Sequence, residues 1–291
     1  MAVRFSLKWW LHLLGGGLGL VGVIFVAVRL STNFRQVNFA RFDFVACFIL
    51  ALLTFVYGAG NLLLARAWWH LLNFLEVKTS WRWANKVYGQ SQLAKYVPGN
   101  IFHLAGRQTL GMAAGLPVRP LAKSSLWELG LLAAAGAILG ILALPLLWPT
   151  LALWMSTALF MAVMLILCAA SYSLYASRVT WALMLQMAFL ALSGCVFIGI
   201  LTVVVPESTA LPALPVLCGA YVLAWLAGFV TPGTPAGVGV REIVLLFLLR
   251  GQIAQADLLL AVVLGRVVTV TGDLLYFIMA MFINKKRRIE E

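Results

Sequence analysis

Long apolar segments alternate with short polar ones along almost the whole chain. Runs of about 20 apolar residues can cross a bilayer as helices, whereas membrane barrels use ~10-residue segments of alternating hydrophobicity. The pattern therefore predicts an all-α integral membrane protein with a single transmembrane domain over residues 1–291. Six spanning helices are predicted, at about residues 9–29, 44–65, 125–147, 151–175, 181–205 and 258–283.

Two regions, 80–112 and 214–250, do not fit continuous spanning helices. Each contains a Pro-Gly pair, which interrupts a helix because proline lacks an N–H and glycine tolerates turns. In both regions an arginine follows nine residues after the proline. The pairs are Pro98-Gly99 and Pro232-Gly233, and the arginines are Arg107 and Arg241. Matched interruptions at membrane depth favour a transport site, because protein or a wet cavity must satisfy the freed backbone groups.

If both regions are re-entrant hairpins, the chain contains an inverted repeat. Residues 1–147 and 148–291 then each have the order helix, helix, hairpin, helix, in opposite orientations. Two alternatives stay open. The second region could cross the membrane twice, because residues 214–231 are just long enough to span it. The protein would then have eight spanning segments. The first region could lie flat on the cytoplasmic surface.

The distribution of basic residues orients these helices. Segment 66–123 has eight Lys and Arg against one acid, and further basic residues lie near both chain ends. Because cytoplasmic loops are rich in Lys and Arg, both termini are predicted to be cytoplasmic and the Glu207 loop to face the other side. Only the segment with Arg35 and Arg41 does not fit. The first apolar run is predicted to be a retained helix and not a cleaved signal peptide.

Composition narrows the function classes. The chain is 63% hydrophobic and 10% charged, against about 25% charged in soluble domains. The net charge is +12. Much of the basic charge flanks apolar runs, where it would meet anionic headgroups, so nucleic acid is not an expected partner. With four scattered cysteines and three histidines, no metal site and no cofactor is predicted. No catalytic motif is present, so the chain is not predicted to be an enzyme.

Basic residues beside the first Pro-Gly pair are candidate ligands for a lipid phosphate. Lys95 and Arg107 would lie near the tip or on the arms of a hairpin, and charges at membrane depth usually face a cavity or a partner. Arginine offers a planar fork that matches phosphate. Alternatively, both residues anchor the loop in headgroups. His103 lies between them and adds only a weak signal.

The segment after the second Pro-Gly pair is glycine-rich and is predicted to start a helix near Ala236. Gly239, Arg241 and Glu242 lie in its first part, where free N–H groups attract anions. The alternative is a closely packed helix joint in which Arg241 pairs with a neighbouring acid.

Acids inside apolar runs are the candidate counter-charges. Asp273 is the deepest acid by sequence, and Arg266 precedes it by seven residues on the same helix face. The hypothesis is that Arg107 and Arg241 bind a phosphate and that Asp273 balances them in the empty site. The alternative is that Asp273 forms a structural ion pair, for instance with Arg107 or Arg241. Glu128 is compatible with a purely interfacial position.

Two segments resemble the motifs of a known family. The sequence from Lys95 to Arg107 is similar to a motif of the lysylphosphatidylglycerol synthase transmembrane-region family, and residues 232–242 resemble its second motif. The family includes the flippase part of the multiple peptide resistance factors and stand-alone relatives. The resemblance implies as site residues Pro98, Gly99, His103, Arg107, Pro232, Gly233, Gly239, Arg241 and Glu242. Two departures are the missing soluble aminoacyl transferase domain and the additional Pro235.

The resemblance implies a lipid translocase of the prokaryotic cytoplasmic (inner) membrane. The expected substrate, and the expected partner, is an anionic phospholipid or a polyprenyl-phosphate-linked sugar. The alternatives are an intramembrane enzyme that acts on a lipid, an accessory subunit of a membrane glycosyltransferase, and a carrier of small ions or amino acids. A homodimer or a glycosyltransferase complex is compatible with this expectation.

Overall fold

The computed structural model describes residues 42–97, 102–175, 177–206, 209–231 and 239–283, and the regular structure within these ranges is helical. The helices are α1 (Phe44–Phe74), α2 (Trp81–Gln92), α3 (Phe102–Ala113), α4 (Val118–Gly140), α5 (Leu153–Tyr175), α6 (Ser177–Val204), α7 (Leu214–Val230), α8 (Val240–Leu248) and α9 (Gln255–Met281). Helix α2 continues as the 3-10 turn Leu93–Tyr96, and α4 continues through Ile141–Ala143 to a last turn, Leu144–Leu147.

Several predicted features lie outside the described residues. They are the first predicted helix at 9–29, Pro98 and Gly99, the Glu207 loop, Pro232 and Gly233, and the basic segment 285–288.

Five of the described helices are long and apolar enough to cross a membrane: α1, α4 with its extension, α5, α6 and α9. They coincide with five of the six predicted spans, and they are compatible with a multi-pass membrane protein. Helix α1 runs to Phe74, beyond the predicted end at residue 65. It does so because its last turns remain amphipathic: Leu71 and Leu72 are buried, while the Arg66 guanidinium stacks 4.2 Å from the Trp69 ring.

Each of the two regions with a Pro-Gly pair contains two described helices, one before the pair and one after it. In the first region α2 packs on α3, and in the second α7 packs on α8. Helix α7 is apolar but has only 17 residues, a length at the lower limit for spanning. Helix α2 is capped by Ser80, whose hydroxyl accepts a hydrogen bond from Trp83 N at 3.3 Å, and it buries one face against α1 and α9.

The long helices pack in a pattern that is similar in the two halves of the chain. Helices α1 and α6 form the central pair. Helix α9 packs on α1, and α4 packs correspondingly on α6. The first helix of each Pro-Gly region contacts the last helix of the other half: α2 packs on α9, and α7 packs on α4. Helix α5 packs mainly on α6 and buries only Ser156.

Glycines bring α1 and α9 into backbone contact. A Cβ on Gly58 would lie 2.8 Å from the Gly272 carbonyl oxygen, and one on Gly272 would lie 2.9 Å from Thr54 O. Small residues at helix contacts permit such close approach. The contact places Asn61 of α1 beside Asp273 of α9, whose side chains are both fully buried.

Candidate functional site

Residues next to both breaks line one cavity in the helix bundle. Lys95 and His103 come from the first broken region and Arg241 from the second, while α4 and α9 contribute Glu128 and Arg266. The cavity is partly open, and the volume that water centres can reach is about 90 Å³. About 10–15 Å³ of such volume holds one water molecule, so the cavity accommodates several waters or a small ionic group. Its aromatic wall is formed by Tyr57, Tyr88, Tyr96, Phe189, Trp225 and Phe229.

Lys95 is paired with Asp273. Its ammonium Nζ lies 2.6 Å from Asp273 Oδ2; the lysine side chain is 19% exposed and the aspartate is fully buried. The carboxylate also accepts hydrogen bonds from Asn61 Nδ2 at 3.1 Å, from Gln92 Nε2 and from the Tyr96 hydroxyl. Asp273 therefore balances neither Arg107 nor Arg241, and this hypothesis is wrong. The alternative, an ion pair of Asp273, is found, but its partner is Lys95 and not an arginine.

Arg107 is held on α3 by Glu128 of α4. Its Nη1 lies 2.5 Å from Glu128 Oε2, and both side chains are only 2% exposed. The guanidinium also stacks 4.2 Å from the Tyr88 ring, and the Tyr88 hydroxyl donates to Glu128 Oε1 at 2.9 Å. Glu128 is thus buried within the protein. Arg107 does not line the cavity, which places it behind the wall as the counter-charge of Glu128.

Glu242 pairs with Arg266 and not with its neighbour Arg241. Arg266 Nη2 and Nε lie 2.8 Å and 3.2 Å from Glu242 Oε1, whose other oxygen accepts from Gly239 N at 2.6 Å. Gly239 is the N-cap of α8 with φ = +90°, a conformation that favours glycine. The third helical position lets Glu242 reach back to cap α8, which directs its carboxylate away from Arg241.

Arg241 lies in the cavity wall without a carboxylate partner among the described residues. Its guanidinium carbon is 5.8 Å from the Trp225 ring, and its buried Nε has no hydrogen-bond partner within the described ranges. The predicted alternative, an ion pair of Arg241 with a neighbouring acid, is therefore wrong for this part of the chain.

The charges around the cavity do not balance. Four cations, Lys95, Arg107, Arg241 and Arg266, face three carboxylates, and each carboxylate is within ion-pair distance of a different cation. The described part of the site thus carries one excess positive charge, on Arg241. A buried charge without a counter-ion is costly, so the cavity favours a bound anion with a single negative charge.

Of the predicted site residues, Lys95, His103 and Arg241 line the cavity. Asp273 and Glu242 pair with its lining residues Lys95 and Arg266, and Gly239 contacts Glu242. The predicted site residues did not include Glu128, Arg266, Asn61, Gln92 and Tyr96. The sequence feature that could have indicated these additional residues is a polar side chain within an apolar segment, as at Asn61. His103 lines the cavity, and its Nδ1 has no hydrogen-bond partner among the described residues.

No family model matches the chain, and no curated protein matches its sequence. In the described residues, no group of three or more His, Cys, Asp or Glu side chains could hold a metal ion.

Proposed function

We propose that the chain is a lipid translocase that moves the headgroup of an anionic lipid past the two broken regions. The observation that carries the proposal is Arg241, an arginine without a carboxylate partner among the described residues, which lines a cavity together with residues that flank the first Pro-Gly pair. A phosphodiester has one negative charge, equal to the excess charge of the described site. Arginine binds phosphate oxygens through paired, charge-assisted hydrogen bonds.

The proposed substrate is an anionic phospholipid or a polyprenyl-phosphate-linked sugar. Only the charged group would enter the cavity, while the lipid tails stay outside the bundle. The aromatic rings of Trp225 and Phe229, stacked with their centroids 4.9 Å apart, offer an apolar wall beside the cation. The resemblance of residues 95–107 and 232–242 to the lysylphosphatidylglycerol synthase transmembrane-region family supports the same function.

The proposal includes an inverted repeat with two re-entrant hairpins. The corresponding contacts of α2 with α9 and of α7 with α4 support repeats at residues 1–147 and 148–291. Transporters with such repeats bind their substrates at the repeat interface, where discontinuous helices meet. A prokaryotic cytoplasmic membrane, with both termini on the cytoplasmic side, is part of the proposal. The charge distribution supports the orientation, and the resemblance supports the membrane.

Reconstitution tests this function. The protein is placed in vesicles of phosphatidylethanolamine and phosphatidylglycerol that contain a fluorescent phosphatidylglycerol, and dithionite quenches the probe in the outer leaflet. We expect faster access to inner-leaflet probe than in protein-free vesicles. A fluorescent phosphatidylcholine, whose headgroup is zwitterionic, should move more slowly. Equal rates with and without protein for the anionic probe would contradict the proposal.

One observation favours an intramembrane enzyme as the second candidate. Lys95, Tyr96 and Asp273 form a cluster of acid and base groups at the cavity, an arrangement that is also used in proton-transfer catalysis. Mass spectrometry of the vesicle lipids after incubation separates the two functions. A translocase leaves every lipid chemically unchanged, whereas an enzyme produces a new lipid species.

A further inference from the structure

The Lys95–Asp273 ion pair is accessible from the cavity on one side only. Lys95 lines the cavity and is partly exposed, whereas Asp273 is fully buried and does not line it. An anion in the cavity can therefore contact the ammonium group but not the carboxylate. An ammonium has three N–H donors, and in the described residues only Asp273 is within ion-pair distance, so donors remain for a second anion.

Neutral groups hold the carboxylate in place. Asn61, Gln92 and Tyr96 all donate hydrogen bonds to Asp273, and Gln92 Nε2 also donates to Asn61 Oδ1 at 2.7 Å. The Lys95 ammonium group, in contrast, lies at the end of a flexible four-carbon side chain. The lysine is therefore the partner that moves when an anion competes for it, and Asp273 stays behind.

The surroundings of Asp273 provide no second cation in direct contact within the described part of the chain. The charged or titratable groups that face it from the packed elements are Lys95, Tyr96, Tyr57 and Tyr221, with Arg241 and the Arg266–Glu242 pair further along the cavity. Helix α2 faces it with the neutral Gln92. A buried carboxylate that loses its only cation is destabilised as an anion.

We propose, on the basis of the proposed function, that this pair couples anion binding to the uptake of one proton. The anion binds between Arg241 and Lys95 and draws the ammonium away from Asp273. A proton from cavity water then reaches Asp273 Oδ2 through the space that the ammonium vacates, while Lys95 keeps its own proton. One anion and one proton enter together: the anion lies beside the cations, and the proton neutralises the carboxylate that Lys95 has left. A proton gradient would therefore drive the movement of the lipid.

Calorimetry measures this coupling directly. The protein in detergent is titrated with sn-glycero-3-phosphoglycerol, the soluble headgroup, in two buffers that differ in ionisation enthalpy. The difference between the two heats gives the number of protons bound. We expect the wild-type protein to take up about one proton per headgroup, because a single carboxylate is vacated. Asp273→Asn should bind the headgroup without proton uptake, and Asp257→Asn, an acid near the start of the same helix, should retain it.

Two outcomes would contradict the proposal. Binding to the wild-type protein without proton uptake would overturn the coupling and leave the proposed function standing. Absence of headgroup binding would overturn both. Since the decisive proton count is made on the wild-type protein, the test does not depend on the folding of Asp273→Asn.

A second measurement uses the vesicles with an imposed pH difference. A lipid that moves with one proton accumulates in the leaflet that faces the alkaline side, by up to about tenfold per pH unit, since one unit corresponds to ~1.4 kcal/mol. Protein-free vesicles control for passive redistribution of the probe. An equal distribution of the moving probe at every pH difference would contradict the coupling.

Discussion

The two broken regions differ in how their cations are compensated. In the first region Lys95 and Arg107 each have a carboxylate partner on a long helix, Asp273 and Glu128. In the second region the polarity is reversed: the acid Glu242 is paired with Arg266, and Arg241 has no carboxylate partner among the described residues. The first region is therefore fixed to the bundle by its charges, whereas the second presents a cation to the cavity.

Helix α9 connects the two regions. Its Asp273 binds the first region and its Arg266 binds the second, and the two residues are seven positions apart on one face, as predicted. A rotation of α9 would change both contacts together. Three ion pairs thus connect the two regions to the long helices, whereas Arg241 has no carboxylate partner among the described residues, and variants can separate these contributions.

The largest effect on stability is expected at the fully buried pair. Arg107→Gln leaves Glu128 as an uncompensated charge that is 2% exposed. Removing one partner of a buried pair typically costs about 3–5 kcal/mol. We expect a large fall in the midpoint of thermal unfolding in detergent. The double variant Arg107→Gln/Glu128→Gln should recover much of the loss, and an unchanged midpoint for the single variant would contradict the buried-pair assignment.

A smaller loss is expected where the α1 and α9 backbones touch. The added Cβ of Gly272→Ala would lie 2.9 Å from Thr54 O and from the Tyr57 ring, and such overpacking costs about 1–3 kcal/mol. It would also displace Asp273, the next residue, from Lys95. The control is Gly130→Ala on α4, where a Cβ meets no atom within 4 Å; the control should unfold at the wild-type temperature or slightly above. Equal midpoints for the two variants would argue against close α1–α9 packing.

The smallest stability effect is expected at the pair of the second region. The side chains of Arg266 and Glu242 are 15% and 23% exposed, so solvent screens their charges more than those of the first region. Arg266→Gln should cost about 1 kcal/mol, near the value for partly exposed pairs. Glu242 would keep its contact with Gly239 N and continue to cap α8. A loss as large as that of Arg107→Gln would remove the proposed difference between the two regions.

Hydropathy was sufficient to predict the five long described helices. The two Pro-Gly pairs lie outside the described residues, but the cations that flank them were evident from the sequence. The partners of these cations could not be predicted from the sequence. Lys95 and Asp273 are brought together by the orientation of α9 about its own axis and by the glycine contact between α1 and α9. Sequence depth ranked Asp273 above Glu128, whereas packing buries both. The preference of Glu242 for Gly239 and Arg266 depends on the geometry of one helix turn.

We propose that Arg241 binds the anionic headgroup and that its charge is not needed for folding. The direct test is the transbilayer movement of fluorescent phosphatidylglycerol by Arg241→Gln in reconstituted vesicles, with thermal unfolding as the check on folding. The matched control is Arg250→Gln, an exposed arginine just after α8. Arg241→Lys should retain part of the activity, since it keeps the charge but loses the planar fork. We expect Arg241→Gln to unfold at the wild-type temperature and to move lipid no faster than protein-free vesicles. Wild-type rates of lipid movement in this folded variant would contradict a role of Arg241 in headgroup binding.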